Sequence, residues 1–206
     1  ALTYLKDFDV FFSFHQQASE TQKSQSKSID LIDKLIPVQH FALVQYLKSR
    51  GVLKYKKISQ LKEVHYTIKD RKYFALAFIN DLNGIEVRSK YSKLCFGAKA
   101  ITFINNESKK VKVFEGFFDF LSWIEIKNES ELEDYIILNS ISLLEKNLNI
   151  LNNYQEIGLF LDNDLQGIKA TELIKSTFNN VIDYRTKYEK HKDLNEFLIN
   201  QKNKRL

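Results

Sequence analysis

From Glu63 onward, hydrophobic and polar residues alternate with a period of two in EVHYTIK, KYFALAFIN and IEVRSKY. Asp70-Arg71 and Asn80-Asp81-Leu82-Asn83-Gly84 separate these runs. Such alternation sends successive side chains to opposite faces of a strand, and connections this short join antiparallel neighbours. The pattern predicts an antiparallel meander, with a further strand, AITFI, after Lys99. Upstream, QHFALVQYLKSRG follows Pro37 with apolar residues at helical spacing. Phe41, Val44 and Leu47 share one face there, and Gly51 is placed to end the helix in a left-handed conformation. Beyond the polar run from Asn105 to Lys110 the pattern changes to strand and helix in turn: VKVF then GFFDFLSWI, YIIL then SISLLEKNLNIL, EIGLFL then GIKATELIKSTF, VIDY and finally LNEFLIN. Strands separated by helices need crossover connections, which build parallel sheets covered on both faces.

Three regions follow. Residues 1–35 read as an N-terminal segment plus linker: LTYLKDF and VFFSF precede a polar stretch, Ala18 to Ser28, whose composition predicts mobility. Residues 36–107 read as a small α+β subdomain carrying the meander, and 108–206 as an α/β domain. The 44% apolar content of 206 residues supports a buried core. No apolar run approaches the roughly 20 residues that span a bilayer, and no charged-then-apolar signal opens the chain, so a cytoplasmic protein without membrane association is expected. The sequence begins at Ala1 and has no methionine, which suggests that residues encoded upstream are missing. A lone Cys95 excludes an internal disulfide and a multi-cysteine zinc site, and reads as a half-buried filler. The net charge of +5 favours an anionic partner.

Against that basic background, acidic residues stand where apolar strands end: Glu115 after VKVF, Asp162 and Asp164 after IGLF-Leu161, and Asp193 before the last helix. In open parallel sheets ligands lie beyond the carboxyl ends of the strands. Asp162 and Asp164, one residue apart, can project from one turn toward one point. Magnesium suits such a pair, since it is held by one or two carboxylates together with waters and substrate phosphates. Gly167 then lets the chain turn into its helix. Helix capping is the competing reading for Asp162, Asp164, Asp193 and Asn195, because these residue types are favoured at N-caps. A calcium loop is excluded, as Gln166 and Leu173 stand at ligand positions. Glu115 before Gly116 is a candidate general base or acid. Asp119, one turn along, is a candidate to orient it, to bind metal, or to favour the helix N-terminus. The four histidines, His15, His40, His65 and His191, lack metal-ligand spacing.

Glu-Gly with Asp three residues later, a strand ending in Asp-x-Asp-x-x-Gly, and a late Lys-Asp together resemble the Toprim domain of bacterial-type DNA primases, topoisomerases and some nucleases. The similarity covers about residues 108–202. Upstream, FSFHQQ, YLKSRG, EVHYTIKD, FALAF and IEVRSKYSK resemble the region before Toprim in primase-like proteins of bacterial mobile elements. The resemblance implies a Toprim-like parallel sheet and RNA primer synthesis on single-stranded DNA from nucleoside triphosphates, dependent on Mg²⁺ or Mn²⁺. Glu115 matches the family's acid/base glutamate, Asp162 and Asp164 its metal pair, and Asp193 its last acidic motif. That motif commonly has a second aspartate two residues on; Asn195 replaces it here, implying one fewer anionic ligand. Family members also carry an N-terminal zinc-binding module, absent from this sequence, and serve a replicative helicase.

For template and nucleotide contact the sequence offers Arg88, Lys90, Lys93, Lys99 and Lys192, with Arg88 favoured for its place in an alternating strand and its fixed guanidinium fork. Two rivals remain: a metal-dependent nuclease using the same carboxylates on water, and a non-catalytic nucleic-acid-binding module of a replication protein. A topoisomerase lacks a recognisable cleavage domain, and an Asp-x-Asp phosphatase would carry its motif near the start of the fold.

Overall fold

The computed structural model describes residues 31–127 and 131–204. The expected linker therefore lies outside the described residues, and so do the two aromatic N-terminal pieces.

Five strands form the first sheet, all antiparallel and in sequence order: β1 (Ile32–Ile36), β2 (Leu61–Ile68), β3 (Arg71–Ile79), β4 (Ile85–Arg88) and β5 (Lys93–Phe96). The meander is as the alternation predicts, but two strands were not legible. IDKLI (β1) adjoins the polar stretch and falls across the boundary expected at residue 35, and KLCF (β5) is too short to show a period. Between β2 and β3 the central turn residues are Lys69 and Asp70, with φ of 49° and 62°. Two successive positive φ values match the right-handed twist of a tight hairpin. The turn thus sits one residue before the predicted Asp70-Arg71.

Helix α1 (Phe41–Ser49) packs through Leu43 and Leu47 rather than through the predicted Phe41, Val44 and Leu47 face. Phe41, in its first turn, is 75% exposed. Gly51 ends the helix as expected, at φ +74°.

The second sheet has the order β10-β9-β7-β8-β6. Its strands are β6 (Thr102–Ile104), β7 (Lys110–Phe114), β8 (Asp134–Ile137), β9 (Glu156–Phe160) and β10 (Val181–Asp183). The last four run parallel; β6 is an antiparallel edge on β8. This corrects the assignment of AITFI to the first unit: it crosses into the second sheet before the polar turn. Helix α2 (Phe117–Ile126) joins β7 to β8, and α4 (Leu165–Thr177) joins β9 to β10. The predicted helix in SISLLEKNLNIL is a broken run instead, in which one short turn, α3 (Leu144–Asn147), is flanked by 3₁₀ segments. Helix α5 (Leu194–Asn203) ends the described chain.

Alternate residues of the parallel strands feed two layers. Val111, Val113, Ile136, Ile157 and Leu159 pack with Ala170 and Ile174 of α4. On the other face Phe114, Tyr135, Ile137 and Phe160 join Phe117, Phe118, Phe120 and Leu121 of α2, together with Leu61, Leu76 and Phe78 of the first sheet. A helix apolar nearly all round must be buried on all sides. FFDFLSWIEI meets that condition by lying between the two sheets, where Phe117 stacks on Phe78 at 5.0 Å. One shared core therefore fixes the start of α2 relative to both sheets.

Candidate active site

In the second sheet the chain leaves β7 toward β8 on one side and leaves β9 toward β10 on the other. Loops that depart in opposite directions from adjacent parallel strands open a crevice at their carboxyl ends. Phe114 and Phe160 are register partners across this pair, so Glu115 and Asp162 follow them onto the same rim. They touch: Glu115 Oε2 accepts the Asp162 backbone N–H at 3.3 Å.

The Asp162–Gly167 loop is held for three separate reasons. Asp164 Oδ1 accepts the N–H groups of Gln166 and Gly167, both at 3.0 Å, and so caps α4. A Cβ on Gly167 would lie 2.1 Å from the Asp162 carbonyl oxygen, so glycine is required there by close backbone approach. Positive φ is not the reason. Asn163 faces the other way: its Nδ2 donates to the Tyr188 and His191 carbonyls, and its N–H to the Lys192 carbonyl at 2.7 Å. Those bonds draw the 188–193 segment against the loop and bring Lys192 and Asp193 to the rim. Asp193 Oδ1 then caps α5 through the Glu196 N–H.

The rim faces a cavity of about 540 Å³ between the two sheets. Glu115, Asp119, Asp162 and Asp193 line one side, while Arg88, Lys90 and Lys93 come from β4, β5 and the turn between them. Lys192 lines it as well, with Nζ 3.8 Å from Asp162 Oδ2. Lys99 is exposed and does not line the cavity, nor do Asp164 and Gly167. At Gly116, the N-cap of α2, a Cβ would meet only Asp119 Oδ2 at 3.4 Å, so its backbone makes no demand for glycine.

Electrostatics mark the same residues. Burial, then the Glu115 and Asp193 charges, push the Asp162 carboxyl up to about 7. Burial and then Asp164 raise Glu115, against the opposing Asp162 N–H. Lys93 and Arg88 are lowered, each by burial first, though only Arg88 is half-buried and Lys93 keeps an exposed side chain. Cys95 behaves as a filler, its thiol pushed up to about 12 by burial and Glu86.

Asn195 and Asp119 lie behind the rim. Asn195 is fully buried; its N–H donates to Asp119 Oδ1 at 3.2 Å, and its Nδ2 to Ser122 Oγ at 2.8 Å and the Arg50 carbonyl at 2.9 Å. Its Oδ1 accepts from Arg50 Nε. Every polar group of the side chain is thus used to tie α5 to α2 and to the end of α1. The expectation that Asn195 stands in a ligand position, one anion short, gives way to an internal latch. Burial and the neighbouring Asp193 and Asp162 charges hold the Asp119 carboxyl well above the usual carboxylate range, which favours its neutral form.

Arg50, Glu86, Tyr91 and Asn139 are among the cavity residues that the sequence reading does not single out. Arg50 sits at a helix end and is set over the Phe118 ring at 4.6 Å. Tyr91 is 77% exposed at the β4–β5 turn, beside Lys90. No local pattern points to any of them, because the two sheets bring them together.

Among the described residues, no group of three or more His, Cys, Asp or Glu side chains is arranged to enclose a metal ion. The donor set nonetheless has the chemistry of a hard-cation site. Glu115 and Asp162 offer oxygen ligands on one rim, and an added cation would relieve the repulsion that lifts both carboxyls.

Residues 112–198 match the model of the Toprim-like family. That stretch holds most of β7, then β8 to β10 and their helices, and is similar to a Toprim-like domain. Residues 32–97, the first sheet with α1, match a domain of unknown function (DUF8464). The fold of the whole is that of the primase fragment of the bacteriophage T7 primase-helicase protein, which superposes over 90% of this chain and 84% of its own with a TM-score of 0.56 at 20% identity. A second similar structure contains T7 lagging-strand DNA polymerase with primase domains bound to an RNA/DNA hybrid and dTTP; it covers 66% of this chain and 76% of that chain, with a TM-score of 0.46 at 18% identity. Comparison with curated proteins gives no significant match. A five-stranded antiparallel sheet followed by a mostly parallel sheet is thus a fold shared with that primase fragment, and no described helix is long and apolar enough to cross a membrane.

Proposed function

We propose that this protein is a metal-dependent nucleotidyltransferase that makes RNA primers on single-stranded DNA. The observation that carries the reading is the cavity's division into an anionic rim, Glu115 with Asp162 and Asp193, and a cationic wall, Arg88 with Lys90 and Lys93. A nucleoside triphosphate needs both sides: cations for its phosphates, and carboxylates for the divalent ion that accompanies it.

Glu115 and Asp162 would hold Mg²⁺ or Mn²⁺, with the charges of Asp164 and Asp193 contributing from the two helix caps. Bound there, the ion would neutralise phosphate charge and acidify the attacking hydroxyl. Glu115, whose carboxyl is raised by burial, is placed to take that hydroxyl's proton. Arg88 and Lys93 would orient the phosphates, and the partial burial of Arg88 strengthens its contact. Lys192 pairs with Asp162 at 3.8 Å and would exchange this partner for phosphate when the ion binds. Tyr91 and Lys90, at the exposed edge of the cavity, offer a stacking face and a charge for the template strand. A zinc-binding module and a replicative helicase are the partners this role would call on.

The test is incorporation of labelled ribonucleotides on single-stranded DNA with Mg²⁺ or Mn²⁺. Wild type is expected to give short RNA products, and Glu115→Gln and Asp162→Asn none, with circular dichroism unchanged. Full activity in either variant would refute the roles assigned. Cleavage of DNA without nucleotides would replace the reading by a nuclease, and DNA binding without turnover by a non-catalytic module.

A further inference from the structure

Beyond β8 the Toprim-like sheet presents one more polar group to the cavity. Leu138 N–H donates to the Phe114 carbonyl at 2.9 Å, carrying the β7–β8 ladder one residue past the strand and setting Asn139 beside Glu115 on the rim. Asn139 takes φ +61° and is 9% exposed, yet it lines the cavity. Asparagine tolerates that left-handed backbone better than most residues. Its side chain is fixed by two bonds from Nδ2, to the Ala100 carbonyl and to Thr102 Oγ1, each 3.0 Å. The orientation of the amide is forced. A carbonyl cannot donate, and the Thr102 hydroxyl already donates its proton to the Ile79 carbonyl at 3.2 Å, so both neighbours require the NH₂ group. Asn139 Oδ1 is left buried without a hydrogen-bond partner among the described residues. So is Arg88 Nε, a second group lining the same cavity.

These two groups call for opposite ligand chemistry. Arg88 Nε is a donor and suits an ionised phosphate. Asn139 Oδ1 is an acceptor, and an ionised phosphate has no proton to give it. Buried polar groups in native proteins are nearly always satisfied, so a buried acceptor held in place by two bonds, in a residue that lines a cavity, marks where a ligand donor belongs. Adjacent strands lie about 4.8 Å apart, which puts this acceptor one strand away from the carboxylate rim where the reacting phosphate would sit. In a nucleotide the donors nearest the phosphate chain are the sugar hydroxyls.

We propose that Asn139 reads a sugar hydroxyl of the bound nucleoside triphosphate, making it a determinant of sugar selectivity. This rests on the nucleotide reading above. A ribonucleotide hydroxyl that reaches Oδ1 completes its bonding, whereas a deoxy analogue leaves the acceptor bare.

The experiment is calorimetric binding, with Mg²⁺ and no template, of each ribonucleoside triphosphate and its 2′-deoxy and 3′-deoxy counterparts. Wild type should bind the ribonucleotide roughly tenfold more tightly than one of the two analogues, as expected for one hydrogen bond. Asn139→Gly keeps the left-handed backbone open to the chain and should bring the ratio close to one by weakening the ribonucleotide alone. Equal binding of all three by wild type, or a ratio unchanged in the variant, would overturn the role of Asn139 and leave the nucleotide site standing. Failure of every triphosphate to bind wild type would instead remove the site itself. Where Asn139→Gly does not fold by circular dichroism, Thr102→Val, which deletes one of the two anchors, should lower the ratio by roughly threefold; an unchanged ratio there overturns the proposal equally.

Discussion

Asp162→Asn should stabilise the metal-free protein in mild alkali while abolishing its response to magnesium. The Asp162 carboxyl is lifted from its usual 3.8 to about 7 by burial and by the Glu115 and Asp193 charges. The folded state therefore holds this proton more tightly than the unfolded chain. Stability from that preference is full below the unfolded value near 4 and is lost as the pH rises through about 7. Above 7 the wild type folds with an unwelcome charge. The difference between 3.8 and about 7, at about 1.4 kcal/mol per pH unit, sets an upper bound of about 4 kcal/mol. The side chain keeps 15% of its surface in solvent and has Lys192 nearby, so about 1–2 kcal/mol is the realistic expectation. Urea unfolding in chelator should show the Asn variant more stable than wild type by that amount at pH 8, with the gap closing toward pH 4. With Mg²⁺ added, only wild type should gain stability, because an ion that binds the native state alone shifts unfolding by mass action. A variant less stable than wild type at pH 8 without metal, or one that gains as much from Mg²⁺, would refute the claim that Asp162 is a strained carboxylate kept for a cation.

Three further outcomes are expected. Gly167→Ala puts a methyl group 2.1 Å from the Asp162 carbonyl oxygen; overpacking of this kind costs about 1–3 kcal/mol, and thermal melts should show that loss together with a weakened Mg²⁺ response. Asn195→Asp restores the aspartate common in the Toprim family but removes the Nδ2 donor to Ser122 and Arg50, so it should destabilise by about 1–3 kcal/mol without tightening Mn²⁺ binding in calorimetry. Tighter Mn²⁺ binding would show that the position faces the ion after all. Tyr91→Ala, at a site 77% exposed, should leave the melting temperature unchanged and weaken single-stranded DNA binding by about 1–3 kcal/mol, the worth of one base stacked on an aromatic ring; unaltered affinity in a fluorescence titration would move the template elsewhere.

The elements that could be read from the sequence were those whose signal is local. Period-two runs such as KYFALAFIN and all-apolar strands such as IGLF announce themselves, and an acid immediately after such a strand falls on the rim by topology alone. Short elements carried too few residues to reveal a period, which is why IDKLI and KLCF were missed and AITFI was given to the wrong sheet. The α1 face differs from the helical-spacing expectation because Phe41 sits at the helix start and is left exposed among the described residues. The non-acidic half of the site was not legible for a different reason. Arg50, Glu86, Tyr91 and Asn139 acquire meaning only from the approach of two sheets, and that approach is set by the aromatic faces of α2, which no local window contains. Asn195 shows the limit most clearly. Its sequence position fits a ligand motif, yet its backbone N–H, its Nδ2 and its Oδ1 are all bonded inward.

Capping and a role in the acidic cluster, which compete as explanations of Asp164 and Asp193 in the sequence, are compatible in the structure. Glu115, Asp162, Asp164 and Asp193 stand close enough to repel one another, and a fold that gathered them without compensation would be unstable in the absence of a cation. Asp164 and Asp193 meet this by sitting at the N-termini of α4 and α5, where Oδ1 of each accepts backbone N–H groups and the helix dipole favours negative charge. Their charges still reach the centre: Asp164 raises Glu115, and Asp193 raises Asp162. The residual strain is concentrated on the two residues at the switch point, Glu115 and Asp162, joined by a single 3.3 Å bond. Removing a cap charge should accordingly ease these two carboxyls while loosening a helix, so Asp164→Asn would keep most of the cap and lower the Glu115 carboxyl toward its usual range. A carbon-13 NMR titration of the Glu115 carboxyl would show it, and a midpoint that does not fall would mean that the caps and the acidic rim are electrostatically separate.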